Sequence, residues 1–305
     1  MPSRRAWGVE DPIWVEDRHG TGLPYSKGLM AASIMATGIL PGRAYELAAH
    51  IEEQLRVQGM RRVAADVLVD RAYDVLSKEE GTGVADRYLA WRRAKRSARP
   101  IVVLIGGATG VGKSTVATKL AARLDLPRVI PTDAVRQVMR SLLDDKTAPE
   151  IHRSSFEGND LVDGFLHQAR TVGSGVISLV ERTFVEKTDL IIEGVHLVPG
   201  LLADPRIQRL QAEAVIVQVL LAVNDTGVHR SHFLHRLDNE HGRSPARYLN
   251  NLEQIRQVQR HLRELAARYG VPVVEASELD RAIQSVIELV VADVTASESL
   301  EAEAG

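Results

Sequence analysis

The sequence predicts an α/β fold: a doubly wound domain on a five-stranded parallel sheet, preceded by a small, mainly helical unit. Three observations carry this expectation. Apolar runs at 101–105, 128–132, 189–193, 215–222 and 271–275 lack polar alternation, as strands covered on both faces require. Helical periodicity fills the gaps between them. Phe165, Ala169, Val172, Val176, Val180 and Phe184 recur along one side of 159–186, and Leu249, Leu252, Ile255, Leu262 and Leu265 do so in 245–268. The third observation is that the first strand runs straight into a glycine-rich turn and then a helix.

That turn organises the chain. Ile101-Val102-Val103-Leu104-Ile105 leads into Gly106, and from Gly107 the residues fit G-x-x-x-x-G-K-S before a helix opens at Lys113. Glycines let backbone N–H groups turn inward with no Cβ in the way, while the following helix aims its positive end at the same anion. Gly107, Ala108, Thr109, Gly110, Val111, Gly112, Lys113, Ser114 and Thr115 are therefore the expected cradle for the phosphates of ATP. Lys113 is expected to span the β- and γ-phosphates, and the Ser114 hydroxyl to bind the bridging Mg²⁺. Val116, Ala117, Leu120, Ala121 and Leu124 give the next helix a single apolar stripe, so strand, loop and helix come in the order the motif needs.

Composition narrows the class. A chain of 305 residues has room for two domains, and a formal net charge of −2 gives no general reason to expect nucleic-acid binding. No run of apolar residues reaches membrane-spanning length, and none follows Arg4 and Arg5 as a signal peptide would require. With 0 cysteines, disulfides, thiolate metal sites and cysteine nucleophiles are excluded, which is compatible with a cytoplasmic enzyme. A small anionic substrate needs only a local basic pocket.

Residues 1–99 read as the helical unit. Ile13 to Val15 suggest a short strand entering a turn at Asp17-Arg18-His19-Gly20. After the Pro41-Gly42 break, Ala44, Leu47, Ala48, Ile51 and Leu55 keep helical spacing, as do Leu68, Ala72, Val75 and Leu76, and then Val84, Tyr88 and Trp91. A basic run from Arg92 to Arg99 closes the unit before Pro100. The α/β domain is expected over 100–296, and the acidic tail 297–305 is expected to be disordered.

Ligands of such sheets bind at the carboxyl ends of the strands, so the strand exits hold the candidate site residues. Pro131 in the second strand cannot donate to a ladder, which puts that strand at an edge, as in the 2-3-1-4-5 order of P-loop kinases. Asp133 follows, placed to accept the proton of an attacking hydroxyl or to hold a Mg²⁺-bound water, or simply to cap a helix starting at Ala134. Arg136 is a candidate clamp for an anionic acceptor. The third strand ends at Glu193, the position of a Walker B acid that orients the metal's water shell, with Gly194 expected to keep space for the acceptor. His196 is either a substrate contact or a loop histidine. Beyond the fourth strand, Arg230 and Arg236 are candidate catalytic arginines on a lid, and Arg243 is a candidate acceptor contact. His229, His232 and His235 drift around a helix and have no acidic partner in sequence, which argues against a zinc site.

Two resemblances extend this reading. The hairpin around Gly20, the Pro24-Tyr25-Ser26-Lys27-Gly28 opening and the closing stretch Val84 to Trp91 resemble the ATP-cone, a helical module that binds a regulatory nucleotide in several enzymes. Glu16 and Asp17 stand where that family's hairpin is usually basic. Gly106 to Thr115, Thr132 to Arg136, Ile192 to Gly200 and Arg243 to Leu249 resemble the archaeal-type 2-phosphoglycerate kinase, which also carries an ATP-cone-like region in front. That likeness implies ATP- and Mg²⁺-dependent phosphorylation of a small phosphorylated hydroxy acid, 2-phosphoglycerate, to 2,3-bisphosphoglycerate. The metal falls to Ser114 with Glu193 or Asp133. The acceptor falls to Arg136, Arg153, His196 and Arg243, with His152, Ser154 and Ser155 nearby. A homo-oligomer stays open. So do another small-molecule or polynucleotide 5′-hydroxyl kinase and a non-catalytic ATP-binding regulator, since a fold does not fix the acceptor.

Overall fold

The computed structural model describes residues 11–16, 20–97, 99–156, 160–235 and 245–304. They form two compact units, Met1–Lys95 and Arg96–Gly305, so the division falls just before the expected boundary at Pro100.

The first unit is built from β1 (Trp14–Glu16), β2 (Gly22–Pro24), α1 (Lys27–Met35), α2 (Pro41–Val57), β3 (Arg62–Ala64), α3 (Ala65–Glu79) and α4 (Thr82–Ala94). The Ser26 hydroxyl caps α1 by accepting from the Leu29 amide at 3.3 Å, and Pro41 opens α2 where its missing N–H costs no helical bond. Ile34, Leu47, Ile51, Leu55 and Leu76 are fully buried in one core, and each stabilises the unit by roughly 2 kcal/mol. β3 was not expected. Three residues are too few to show alternation, yet β3 runs parallel to β1 with Val15 opposite Val63, giving the order β2-β1-β3.

The second unit contains β4 (Ile101–Gly107), α5 (Lys113–Leu124), β5 (Val129–Pro131), α6 (Thr132–Leu142), α7 (Pro149–His152), α8 (Leu161–Glu186), β6 (Leu190–Glu193), α9 (Pro205–Leu210), β7 (Val215–Ala222), α10 (Thr226–His235), α11 (Pro245–Asn250), α12 (Leu252–Tyr269), β8 (Val273–Glu275) and α13 (Leu279–Ala304). The five strands are all parallel and ordered β5-β6-β4-β7-β8, so the unit's first strand lies at the centre and its second at an edge. Pro131 sits on that edge strand opposite Glu193, where a missing N–H costs no ladder bond. β4 and β7 are buried along their whole length, as their unbroken apolar sequences require. Val102, Leu104, Leu190 and Ile192 pack against Val176, Ile177 and Val180 of α8, while α5 and α13 pack on β4 and β7. Asp189, at the far end of β6 from the site, accepts the Ile101 amide at 3.0 Å and ties the start of the central strand.

Two expectations need correction. The helix read over 245–268 is two helices, α11 and α12, parted at Asn251, whose side-chain amide donates to the Arg247 carbonyl at 2.8 Å. Such a side-chain bond competes with the helical ladder, and apolar spacing alone does not register it. The tail from Ser297, expected to be disordered, continues α13 to Ala304. Its leucine, alanines and glutamates are strong helix formers, and an existing helix needs no new nucleus to extend into them. Among the described residues no helix is long and apolar enough to cross a membrane.

Candidate active site

The glycine-rich loop between β4 and α5 is shaped by contacts that leave no room for side chains. Gly110 has φ 86°, and a Cβ there would lie 2.3 Å from the Phe233 ring. Lys113 arches back so that its Nζ donates to the Ala108 carbonyl at 2.8 Å. The opposite side of the loop is held by α10: His229 Nε2 donates to the Thr109 carbonyl at 2.8 Å, and His232 Nδ1 donates to the Gly110 carbonyl at 3.0 Å. Two of the three lid histidines are thus braces for the phosphate loop. Burial, assisted by Arg256, His232 and Lys113, lowers the pKa of His229, although the Thr109 carbonyl opposes the shift.

Glu193 ends β6, and the ladder register places it beside Ile105 of β4 and Pro131 of β5. Only 6% exposed, it accepts a hydrogen bond from the Ser114 hydroxyl at 2.8 Å. The two oxygens expected to serve Mg²⁺ are therefore adjacent at the mouth of the loop. No group of three metal-binding side chains occurs among the described residues. Mg²⁺ keeps several waters and takes one or two protein oxygens plus substrate phosphates, so the Ser114–Glu193 pair fits a metal that arrives with a nucleotide. Asp133 lies in the first turn of α6 and faces the same cleft. The helix begins two residues earlier than expected, at Thr132, so Asp133 is not its cap.

The cleft itself has a volume of ≈ 1050 Å³ and joins Lys113, Ser114, Glu193 and Asp133 to a basic rim. Arg136, Arg140, His152, Arg153 and Arg247 line that rim with Ser154 and Ser155. Arg136 has a second task, donating from Nε to the Ile151 carbonyl at 2.7 Å and from Nη2 to the Arg153 carbonyl at 2.5 Å. Arg247 donates to Ser154 Oγ at 2.5 Å and lies 5.8 Å over the Phe156 ring. Neither Arg140 nor Arg247 is among the site residues expected from the sequence. Their signal, an arginine one turn beyond Arg136 and another just after Pro245, is visible only once the cleft closes around them.

Other candidates fall elsewhere. His196, open between a substrate contact and a loop histidine, is the second: it is only 1% exposed, bonds to Thr132 and Gln168, and does not line the cleft. Gly194 does not make space for the acceptor, because a Cβ there would lie 1.8 Å from Thr132 Oγ1. Its φ of 157° instead lets β6 pass close to the start of α6. Arg230 is exposed on α10 and does not line the cleft, while Arg236 and Arg243 lie outside the described residues.

Residues 85–278 match the Zeta toxin family model. A 2-phosphoglycerate kinase of Methanopyrus kandleri is 35% identical over 291 residues, covering 92% of this chain and 87% of the relative. The chain belongs to the 2-phosphoglycerate kinase family and carries the Zeta toxin domain. Members of the 2-phosphoglycerate kinase family from Methanocaldococcus jannaschii (35% over 277 residues, 88% of each chain) and Pyrococcus furiosus (33% over 276 residues, 87% of this chain and 89% of the relative) are similarly close. These alignments include the first unit as well as the phosphate loop, so the likeness to the 2-phosphoglycerate kinase family spans both parts of the chain.

Proposed function

We propose that this chain transfers the γ-phosphoryl group of ATP to the 3-hydroxyl of 2-phosphoglycerate, giving 2,3-bisphosphoglycerate and ADP. The observation that carries this reading is a single cleft in which the Ser114–Glu193 pair and Lys113 stand opposite a rim of arginines. An acceptor with a carboxylate and a phosphate needs cations beyond those serving ATP, and Arg136, Arg140, Arg153 and Arg247 supply them. The names of the relatives favour the same acceptor.

In this reading the loop residues from Gly107 to Thr115 hold the triphosphate, and Lys113 neutralises charge on its outer phosphates. Ser114 and Glu193 would hold Mg²⁺, which would supply positive charge against the phosphates. The acceptor hydroxyl attacks the γ-phosphorus, the bond to the β,γ-bridging oxygen breaks, and the hydroxyl proton passes to Asp133, a carboxylate that lines the cleft from the first turn of α6. Arginines gathered near the cleft spread the developing charge over the equatorial oxygens. Arg236 stays a proposal for that role from the sequence and Arg243 for an acceptor contact, while Arg230 would need α10 to move.

The first unit is read as ATP-cone-like on its short hairpin and four helices. Glu16, which stands where the ATP-cone hairpin is usually basic and where its charge would repel a triphosphate, is paired with Arg62 at 2.7 Å.

Release of ADP in a coupled assay, with 3-phosphoglycerate and glycerate as controls, tests the acceptor. Turnover that depends on 2-phosphoglycerate supports the proposal. Turnover only with a polynucleotide 5′-hydroxyl, or ATP binding without any acceptor-dependent turnover, overturns it.

A further inference from the structure

Three residues outside the cleft form a buried polar chain that the phosphate loop does not need. Thr132, His196 and Gln168 are 0%, 1% and 1% exposed, and they come from α6, the loop after β6, and α8. Gln168 Nε2 donates to the Glu150 carbonyl at 2.6 Å and to the Arg153 carbonyl at 2.9 Å. Its Oε1 is then an acceptor, so His196 must donate to it from Nε2, across 3.0 Å. His196 Nδ1 is left as an acceptor, and Thr132 Oγ1 donates to it at 2.8 Å. Every bond in the chain has one direction.

The chain ends on the segment that carries Arg153, Ser154 and Ser155 into the cleft. Two donors meet at the Arg153 carbonyl, Gln168 Nε2 and Arg136 Nη2. Segment 150–153 therefore takes its shape from groups on α6 and α8. Its other end is tied to Asp133, because Thr132 precedes it in α6, and to Glu193, because His196 follows it on the strand exit.

We propose that Gln168 is a positioning residue for the acceptor half of the site: by holding the Glu150 and Arg153 carbonyls, it sets the rim that receives the phosphorylated hydroxy acid at a fixed distance from Glu193 and Asp133. This rests on the function proposed above. A buried amide with every bond satisfied specifies one arrangement, since any shift of the rim leaves polar atoms unpaired away from water. The nucleotide half depends instead on β4, α5 and α10, with Glu193 from the end of β6.

Gln168→Met keeps the volume and removes all three bonds. Gln168→Glu, ionised, still accepts from His196 but donates to neither carbonyl. Steady-state kinetics of both variants should show the KM for 2-phosphoglycerate raised about tenfold or more, the scale of a lost buried bond, with the KM for ATP within about twofold of the parent. Hydrogen exchange on the same proteins reads the rim with no acceptor present: faster exchange at 150–156 is expected, with 107–115 unchanged. Use of the second variant covers a first that fails to fold. An unchanged acceptor KM in a protein that turns over 2-phosphoglycerate would overturn the proposal, as would equal loss for both substrates or unaltered exchange at 150–156. If the parent enzyme ignores 2-phosphoglycerate, the acceptor assignment falls, while the exchange result still decides the role of Gln168.

Discussion

The Ser114 hydroxyl donates to Glu193 Oε1 across 2.8 Å, although 79 residues separate the two in sequence. The bond joins the first turn of α5 to the exit of β6 and marks where the central strand and its neighbour end together. A carboxylate so deeply set exchanges one oxygen partner for another more readily than it goes without, since an unpaired buried charge is costly. Under the proposed function, the Ser114–Glu193 pair would hold Mg²⁺ brought in with ATP.

Removing either partner should therefore appear first as a metal defect. Ser114→Ala and Glu193→Gln are each expected to raise the Mg²⁺ concentration for half-maximal rate by about 10–100-fold. Titrating Mg²⁺ at saturating ATP measures it. A rate that falls without any change in metal dependence would assign the pair to folding.

Asp133 faces the cleft from the first turn of α6 and is not the helix cap. Asp133→Asn keeps the shape and removes the proposed base, so kcat should fall by about 10²–10⁴ with the KM for ATP little altered. If the KM for ATP rises and kcat holds, the residue serves the nucleotide or its metal.

Gly110 touches Phe233 so closely that a Cβ would lie 2.3 Å from the ring, at a φ of 86°. Gly110→Ala should cost roughly 2–5 kcal/mol, from overpacking and a left-handed backbone together. Phe233→Leu added to it should recover the packing part and leave the backbone part. Chemical denaturation of the four members of the cycle gives the coupling.

How much of this was legible depended on how local each constraint is. The phosphate loop could be read because its backbone angles and its anion both restrict a short run of residues, and Glu193 because it ends an apolar run. Pro131 pointed to an edge because proline lacks a donor wherever it sits. His196 stayed open between two roles because its burial is decided by Gln168, 28 residues away, and by Thr132, 64 residues away. Gly194 was misread for the same reason, since its neighbour Thr132 belongs to another element. The bracing by His229 and His232 links positions 120 and 122 residues apart, and spacing along one helix holds no trace of a partner in a distant loop. Arg140 and Arg247 were passed over because an arginine on a helix reads as solvated until the opposite wall of a cleft is known.

The neutrality of His196 has a stability consequence. Burial pushes its pKa down from 6.5 to about 4; Asp133 opposes the shift, and Arg136 and Lys113 add to it. In the unfolded chain a histidine takes up its proton near pH 6.5. As pH falls from about 6.5 to about 4, the unfolded state gains a proton that the folded state refuses, so stability drops by about 3 kcal/mol and the loss levels off below that. His196→Gln should flatten this part of the curve. Denaturant melts of parent and variant at pH 7.5, 6 and 5 measure the difference, and parallel curves would show that the imidazole titrates normally.

Phosphorus NMR of the purified chain with ATP, Mg²⁺ and 2-phosphoglycerate tests most directly whether the loop and the basic rim act as one site. A second phosphomonoester signal on the three-carbon acid, growing one for one with ADP and absent in Lys113→Ala, is the expected result. ADP accompanied only by inorganic phosphate, or a spectrum that stays the same when 2-phosphoglycerate is added, would contradict it.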